Sequence, residues 1–264
     1  MSDSPAEKLT DRYNREAHAY RELWAPILRI AGLGLLRELA PTPVQRMLDV
    51  GTGVGALLQD LRAAFPGASV LGVDRAHGML KLAPNAFPRA VMDARQLAIA
   101  PASADLVLMV FMLFHLEEPM DGLREAHRVL RRGGRVGTLT WGGDLESKAT
   151  QIWTECLDAH GAAPADPALA ARHDAVDAPE KMETLLQSAG FTSPRCWADD
   201  LVATMDLEHL LRLRTSMGSG KPRFDSLDPP AREACVATAR RRMGRLADQE
   251  FVARGKVVYA VATA

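Results

Sequence analysis

Residues 47–55 read Met-Leu-Asp-Val-Gly-Thr-Gly-Val-Gly. An apolar run ends in an acid, Asp49, and then breaks into three alternating glycines, Gly51, Gly53 and Gly55, before a helical pattern takes over at Ala56, Leu57, Leu58 and Leu61. Strand, glycine turn and helix in that order make a nucleotide cradle. Glycine lets the backbone turn tightly and a ligand approach the main chain, and a helix start offers unpaired N–H groups. The acid separates two kinds of ligand. A pyrophosphate pressed on this turn would be repelled by a carboxylate at the strand end, whereas a ligand that is cationic or donor-rich there would be attracted. The spacing alone leaves both open, because Gly51, Gly53 and Ala56 also satisfy the relaxed dinucleotide fingerprint.

Outward from this turn the chain alternates. Residues 5–39 read as helical, with Tyr13, Ala17, Tyr20, Leu23 and Trp24 near one face, and Pro41 and Pro43 stop the pattern. The pattern predicts strands at 46–50, at 69–73 ending in Asp74, weakly at 90–92 ending in Asp93, at 105–110 and at 135–141. Helices are predicted at 55–65, briefly around Met79 and Leu80, and at 119–131, with a turn at Gly133 and Gly134. Such alternation predicts a parallel, doubly wound sheet with its ligand beyond the carboxyl ends of the strands. Asp49, Asp74, Asp93 and His115 all fall at or just past such ends. Residues 144–178 break the rhythm with one amphipathic helix (Ile152 to Leu157) and an Ala/Pro-rich loop. A helix at 179–189, a strand from Pro194 to Met205, helices at 206–216 and 229–247 joined by a Gly/Pro-rich stretch at 218–222, and a strand from Val252 to Thr263 complete the reading.

Composition bounds the function. At 264 residues with 47% hydrophobic content, the chain is one large domain or one domain with an inserted cap. A net charge of -1 speaks against a broadly basic nucleic-acid binder. Cys156, Cys196 and Cys235 are odd in number and widely spaced, which predicts reduced thiols, a cytoplasmic setting and no zinc site. The N-terminus lacks a signal-peptide core, and no apolar run approaches the roughly 18 residues of a membrane span. Glu117 and Glu118 read as a solvated loop rather than metal ligands, and no metal site is expected.

Five ordered motifs, LDVGTGVG, VLGVDRAHGML, AVMDARQL, ADLVLMVFMLFHLEEP and EAHRVLRRGGRVGTLTW, resemble those of class I S-adenosylmethionine-dependent methyltransferases, within them the small-molecule enzymes related to ubiquinone and menaquinone biosynthesis. The resemblance covers about residues 44–142 well and the rest in outline. It implies an α/β fold with a mostly parallel, seven-stranded, Rossmann-like sheet, an antiparallel last strand and a small helical cap. It divides the chain into an N-terminal helical lid (1–43), a cofactor-binding core (44–143), an inserted cap segment (144–178) and the rest of the core (179–264) with a helical substrate-side insertion (206–250). The implied cofactor is S-adenosylmethionine, leaving as S-adenosylhomocysteine. The glycine turn (Gly51, Thr52, Gly53, with Gly55) would wrap its methionine end, with Asp49 beneath the amino group. Asp74 would accept from the ribose hydroxyls, Arg75 and Met79 would lie near the adenine, Asp93 would meet the adenine amino group, and Ala94 would give its N–H to a ring nitrogen. Val110 would border the sulfonium, and Tyr20 would belong to the lid. A carboxylate suits a vicinal diol, and charge-assisted bonds are the stronger ones.

His115 is the candidate catalytic residue, a general base for a phenol or other hydroxyl; the competing role is to pin the loop after the fourth strand. Tyr13, Tyr20 and Trp24 read either as lid or as helix packing, and Trp141 and Trp153 either as an aromatic pocket or as core. Arg240, Arg241, Arg242 and Arg245 read as a solvated helix face. Asp228-Pro229-Pro230 lies far from the end of the fourth strand and reads as a turn before a helix. The expected reaction is in-line attack on the sulfonium methyl by an O, N or C atom of a small-molecule acceptor, driven mainly by alignment and exclusion of water. No nucleic-acid partner is expected; a homodimer is left open. The rival readings are a nicotinamide-dependent oxidoreductase, a non-methylating protein on the same scaffold, and an RNA or protein methyltransferase.

Overall fold

The computed structural model describes residues 4–39, 43–218 and 220–264. Pro41, expected to stop the N-terminal helical pattern, and Ser219 of the 218–222 join lie outside the described residues. The N-terminal segment forms α1 (Pro5–Ala19) and α2 (Ala25–Leu39), joined without a break by a π-helical turn, Tyr20–Trp24. Ser4 starts α1 with a capping box: its hydroxyl accepts from the Glu7 N–H (3.2 Å), and the Glu7 carboxylate accepts from the Ser4 N–H (2.7 Å). Ile27, Leu28, Ala31, Leu35, Leu36 and Leu39 recur at helical spacing and give α2 its buried face.

The chain continues through β1 (Arg46–Val50), α3 (Leu58–Ala64), β2 (Ser69–Asp74), α4 (His77–Leu80), β3 (Arg89–Val91), β4 (Ala104–Val110), a 3-10 turn (Leu113–His115), α5 (Pro119–Val129) and β5 (Leu130–Trp141). It ends with α6 (Lys148–Ala159), α7 (Pro167–Asp174), α8 (Pro179–Ser188), β6 (Thr192–Thr204), α9 (Leu207–Ser216), α10 (Lys221–Asp225), α11 (Pro229–Met243), a 3-10 turn (Asp248–Phe251) and β7 (Val252–Thr263). One seven-stranded sheet has the order β3-β2-β1-β4-β5-β7-β6. β1 to β5 pair in parallel, and β7 runs antiparallel between β5 and β6, as expected of the last strand. Strand order reverses between β1 and β4, so a crevice opens at their carboxyl ends.

The interior follows from strand chemistry. β4 is buried from Ala104 to Met109, as a central strand covered on both faces must be. Each such large side chain contributes roughly 1.5–3 kcal/mol of burial. Asp105, at the start of β4, accepts from the Gln45 and Arg46 N–H groups (2.8 Å each) and pairs with Arg131, tying the amino ends of β1 and β4 together. The Tyr259 hydroxyl donates to the Ala31 carbonyl (3.0 Å), which fixes α2 on β7. Trp153 is a core residue rather than pocket wall: it is buried beside Phe224, ring centroids 5.6 Å apart.

Five features differ from the sequence reading. The helix expected from residue 55 starts at Leu58, because Gly53 and Gly55 take φ values of +56° and +73° that no α-helix accommodates. The loop expected in 144–178 contains α7, started by Asp166 accepting from the Ala168 N–H (2.9 Å) with Pro167 at its first position. The join at 218–222 gives way to the short α10, and α11 stops at Met243, before Gly244, rather than at residue 247. The turn expected at Gly133 and Gly134 is an irregularity inside β5, where Gly133 (φ +76°) bonds back to the Ala264 carbonyl.

Candidate functional site

At the carboxyl ends of β1, β2 and β4 a cavity opens, roofed by Leu9, Thr10 and Tyr13 of α1, with a smaller hollow adjoining it beneath the glycine turn. Tyr20, Gly51, Val110 and Phe111 line both. Gly51 has φ +75° and Gly53 +56°, and a Cβ on Gly51 would lie 2.7 Å from the Met112 Cβ. The turn therefore requires glycine both for its backbone and for its neighbour. Gly55 also has a left-handed φ but lines neither hollow; a side chain there would strike Leu58 and Pro84.

Asp74, the last residue of β2, faces the cavity and clamps the turn. One carboxylate oxygen accepts from the Gly53 N–H (2.9 Å), the other from the Ala76 N–H (2.8 Å). Burial pushes its carboxyl above the ordinary range in spite of these bonds. Asp49 lines the smaller hollow and accepts from the Thr52 hydroxyl (2.7 Å). Burial raises it to about 6, opposed by the Thr52 bond and aided by the charge of Asp74. Among the described residues, no lysine or arginine pairs with either acid. A buried and a half-buried carboxylate share a rim that no described lysine or arginine neutralises by an ion pair.

Asp93 is arranged differently. It accepts from the Arg95 backbone N–H (2.9 Å) and from its guanidinium (2.8 and 3.1 Å), and Arg75 approaches to 3.7 Å. Arg95 above all holds it below the ordinary carboxylate range. Asp93 nonetheless lines the cavity, together with Arg75, Met79 and Ala94.

His115 also faces the cavity, its Nε2 2.8 Å from the Tyr13 hydroxyl and its ring edge-on to Phe114 at 4.4 Å. Burial pushes its pKa down to about 3, helped by the positive charges of Arg12, His173 and Arg172, so the ring is neutral at working pH. Tyr13 is pushed up to about 12, chiefly by burial. α1 is held over the cavity by the Asn14 side chain, which accepts from the Gly78 N–H (2.7 Å).

Sequence reasoning missed Leu9, Thr10, Met92, Phe111, Met112 and Leu116 as cavity wall. Leu9 and Thr10 were readable, since they share the helical stripe of Tyr13. Phe111 was not: it has φ +52°, a costly conformation for an aromatic residue of the kind that clusters at functional sites. Its ring lies 4.6 Å from Trp141, which lies 5.8 Å from Trp24, so three aromatics form a slab beside the cavity. Trp24 thus packs on this slab and does not line the cavity itself.

Comparison with known proteins places this geometry. Residues 48–137 match the family described as "Methyltransferase domain". A malonyl-[acyl-carrier protein] O-methyltransferase of Methylococcus capsulatus is 37% identical over 148 residues, 53% of this chain and 51% of that protein. A ubiquinone/menaquinone biosynthesis C-methyltransferase of Syntrophotalea carbinolica is 33% identical over 111 residues, 39% of this chain and 47% of that protein. The chain spans about half the length of these curated relatives. Among solved structures, a phosphoethanolamine N-methyltransferase 2 of Haemonchus contortus, in complex with phosphomonomethylethanolamine and S-adenosylhomocysteine, superposes with a TM-score of 0.50 at 21% identity, over 88% of this chain and 51% of that one. Residues 48–137, from β1 into β5, thus match a methyltransferase domain, and the relatives that align with this chain are methyltransferases by name.

Proposed function

We propose that the chain transfers a methyl group from S-adenosylmethionine to an O, N or C atom of a small-molecule acceptor. One observation carries this reading: Asp49, buried, and Asp74, half-buried, stand at the rim of a left-handed glycine turn with no basic side chain paired to them. A pyrophosphate would add negative charge to that rim. An amino group over Asp49 and a vicinal diol at Asp74 would instead satisfy both acids. The donor set therefore fits the cofactor. Gly51, Thr52 and Gly53 would hold its methionine end, and Met79, Arg75 and Ala94 its adenine side. Asp93 would reach the adenine amino group only by sharing oxygens already given to Arg95. Gly55, outside both hollows, serves the turn and not the ligand.

When bound, the cofactor supplies a methyl group on positive sulfur and a neutral leaving group. The residues of this chain align the acceptor and exclude water. Val110 and Phe111 wall the reacting end, and Tyr13 and Tyr20 close it from the α1 side. His115 is a poor general base, since a ring pushed down to about 3 has little affinity for a proton. Its bond to Tyr13 makes it a positioning residue for the lid. The relatives' names include both an O- and a C-methyltransferase, so the atom methylated in this chain is left open among O, N and C. Among the described residues no helix is long and apolar enough to cross a membrane. The cysteines are free, in keeping with the cytoplasmic setting we propose.

Calorimetric titration of the intact protein with S-adenosylhomocysteine and with NADH tests the reading. Saturable binding of the first and none of the second is expected. The reverse result would overturn it, as would failure to move label from S-[methyl-14C]adenosylmethionine into any acceptor of a broad small-molecule panel.

A further inference from the structure

Most half-buried arginines of this fold have carboxylate or carbonyl partners: Arg128 with Glu125, Arg223 with Asp158, Arg242 with Glu155, and Arg89 with two backbone carbonyls. Arg172 of α7 and Arg214 of α9 stand apart. Each has a buried Nε with no partner, and among the described residues neither guanidinium forms an ion pair. Arg12 of α1 also has an Nε without a hydrogen bond, but Glu16 pairs with it at 4.0 Å and its guanidinium lies 5.3 Å from the Tyr13 ring centroid. Burial with no counter-ion in contact holds Arg214 below its ordinary value. A desolvated cation without an anion is costly to maintain and marks a place where an anion is received.

The three come from distant parts of the chain, on helices that pack around one end of the sheet, behind the residues that line the cavity. α7 packs on the 3-10 turn that carries His115, and its His173 ring stacks on Phe114 at 4.3 Å. The charges of Arg12 and Arg172 both bear on His115, which lines the cavity. α9 packs on α1 and on the π-helical turn, where its His209 ring nitrogen lies 3.0 Å from the Leu23 carbonyl. Asp144, exposed just past β5, acts on both His173 and Arg214. Arg172, through His115, and Arg214, through Asp144, thus fall on the side of β4 and β5, while the acids Asp49 and Asp74 hold the β1–β2 side.

We infer that the methyl acceptor is an anion, a carboxylate or phosphate on an apolar, flat body, bound through Arg172 and Arg214 with Arg12 at the entrance. The inference rests on the methyl-transfer reading. Arginine suits this task because its planar fork meets either anion with two parallel bonds.

The test uses the intact protein, with and without saturating S-adenosylhomocysteine, titrated with benzoate, phenyl phosphate and neutral benzamide while tryptophan fluorescence is followed. At least one anion is expected to bind roughly 10-fold or more tighter than benzamide. Arg172→Gln and Arg214→Gln should each erase most of that preference, and Arg214→Lys should retain part of it. Melting curves confirm that the variants fold, and S-adenosylhomocysteine affinity should stay within about twofold, because these side chains lie off the acidic rim. Equal binding of benzamide, no anion binding, or a preference that survives in the folded Arg172→Gln/Arg214→Gln double variant would overturn the inference and leave the methyl-transfer reading standing. Anion binding by protein that refuses S-adenosylhomocysteine would overturn that reading and support the anion site alone.

Discussion

The two sides of the cavity are built on opposite plans. On the β1–β2 side, acids sit one per strand end, each bonded to the turn or the residue next to it: Asp49 to Thr52, Asp74 to Gly53 and Ala76. On the β4–β5 side, Arg172 and Arg214 arrive from two separate helices, α7 and α9, and their Nε atoms lack such local bonds. The first side is pre-formed by a few consecutive residues; the second exists only once the helices have docked. A fixed cofactor end and an adaptable acceptor end would be expected to divide in this way, and each experiment below presses on one side of that division.

The largest effect is expected at Asp74. Asp74→Ala removes the acceptor for the Gly53 and Ala76 N–H groups together with the diol contact. S-adenosylhomocysteine affinity should fall by about 100-fold or more in calorimetry; a loss under about threefold would remove the acidic rim from the account. Next is Gly51→Ala, which forces a side chain into a backbone with φ +75° and 2.7 Å from the Met112 Cβ. Thermal unfolding should show a loss of about 1–3 kcal/mol, accompanied by weaker cofactor binding.

A pH series sharpens the comparison further. Asp49 ionises at about 6 in the fold, above its ordinary 3.8. The ligand-free protein should therefore lose stability as pH rises through that window, and hold steady above it. A cationic amino group over Asp49 favours the ionised form, so affinity for S-adenosylhomocysteine should rise up to about pH 6 and level off beyond. Asp49→Asn should flatten both curves. An affinity that falls as pH rises through the window would exclude a cation at that acid.

Smaller effects belong to the lid. Tyr13→Phe removes the bond to His115 and should cost about 0.5–1.5 kcal/mol of stability. With His115 at about 3 in the fold against 6.5 unfolded, its contribution is full above pH 6.5 and is lost as pH falls toward 3. The pH profile of kcat should accordingly show no limb near 6.5 that disappears in His115→Asn; such a limb would restore the general-base role. The smallest effect is expected far from both sides. Arg240 pairs with Glu208 on an exposed face, and Arg240→Ala should leave cofactor binding and Tm unchanged.

Legibility in the sequence follows the same division. The sheet, its antiparallel β7 and the strand ends could be read because apolar runs, acids and glycines are local signals with a fixed period. Those signals put Asp49 and Asp74 at strand ends and Gly51 and Gly53 in a ligand-binding turn, whereas Met79 was placed by the resemblance to methyltransferases. Phe111 escaped because nothing in its neighbours announces a left-handed backbone at a bulky residue. α7 was missed although Asp166 and Pro167 announce it, because its alanine-rich body has no apolar stripe. Arg172 and Arg214 look like any solvated arginine in sequence; only the packing of α7 and α9 takes them out of water. The run at 240–245 was read as a charged helix face, and Arg240 and Arg242 do spend their charges on Glu208 and Glu155.

The wide turn at Tyr20–Trp24 has a bearing on how this fold tolerates change. A π turn holds one residue more than an α turn in the same full rotation, so it takes up that residue while the stripes of α1 and α2 keep their angular relation. Loss of a single residue there would restore one uninterrupted α-helix and leave the stripe of Leu9, Thr10 and Tyr13 over the cavity, whereas loss of a residue within α1 or α2 would swing that stripe by about 100° around its axis. The wide turn is thus the place in this helical arm where one residue can be shed without re-aiming the roof above the sheet.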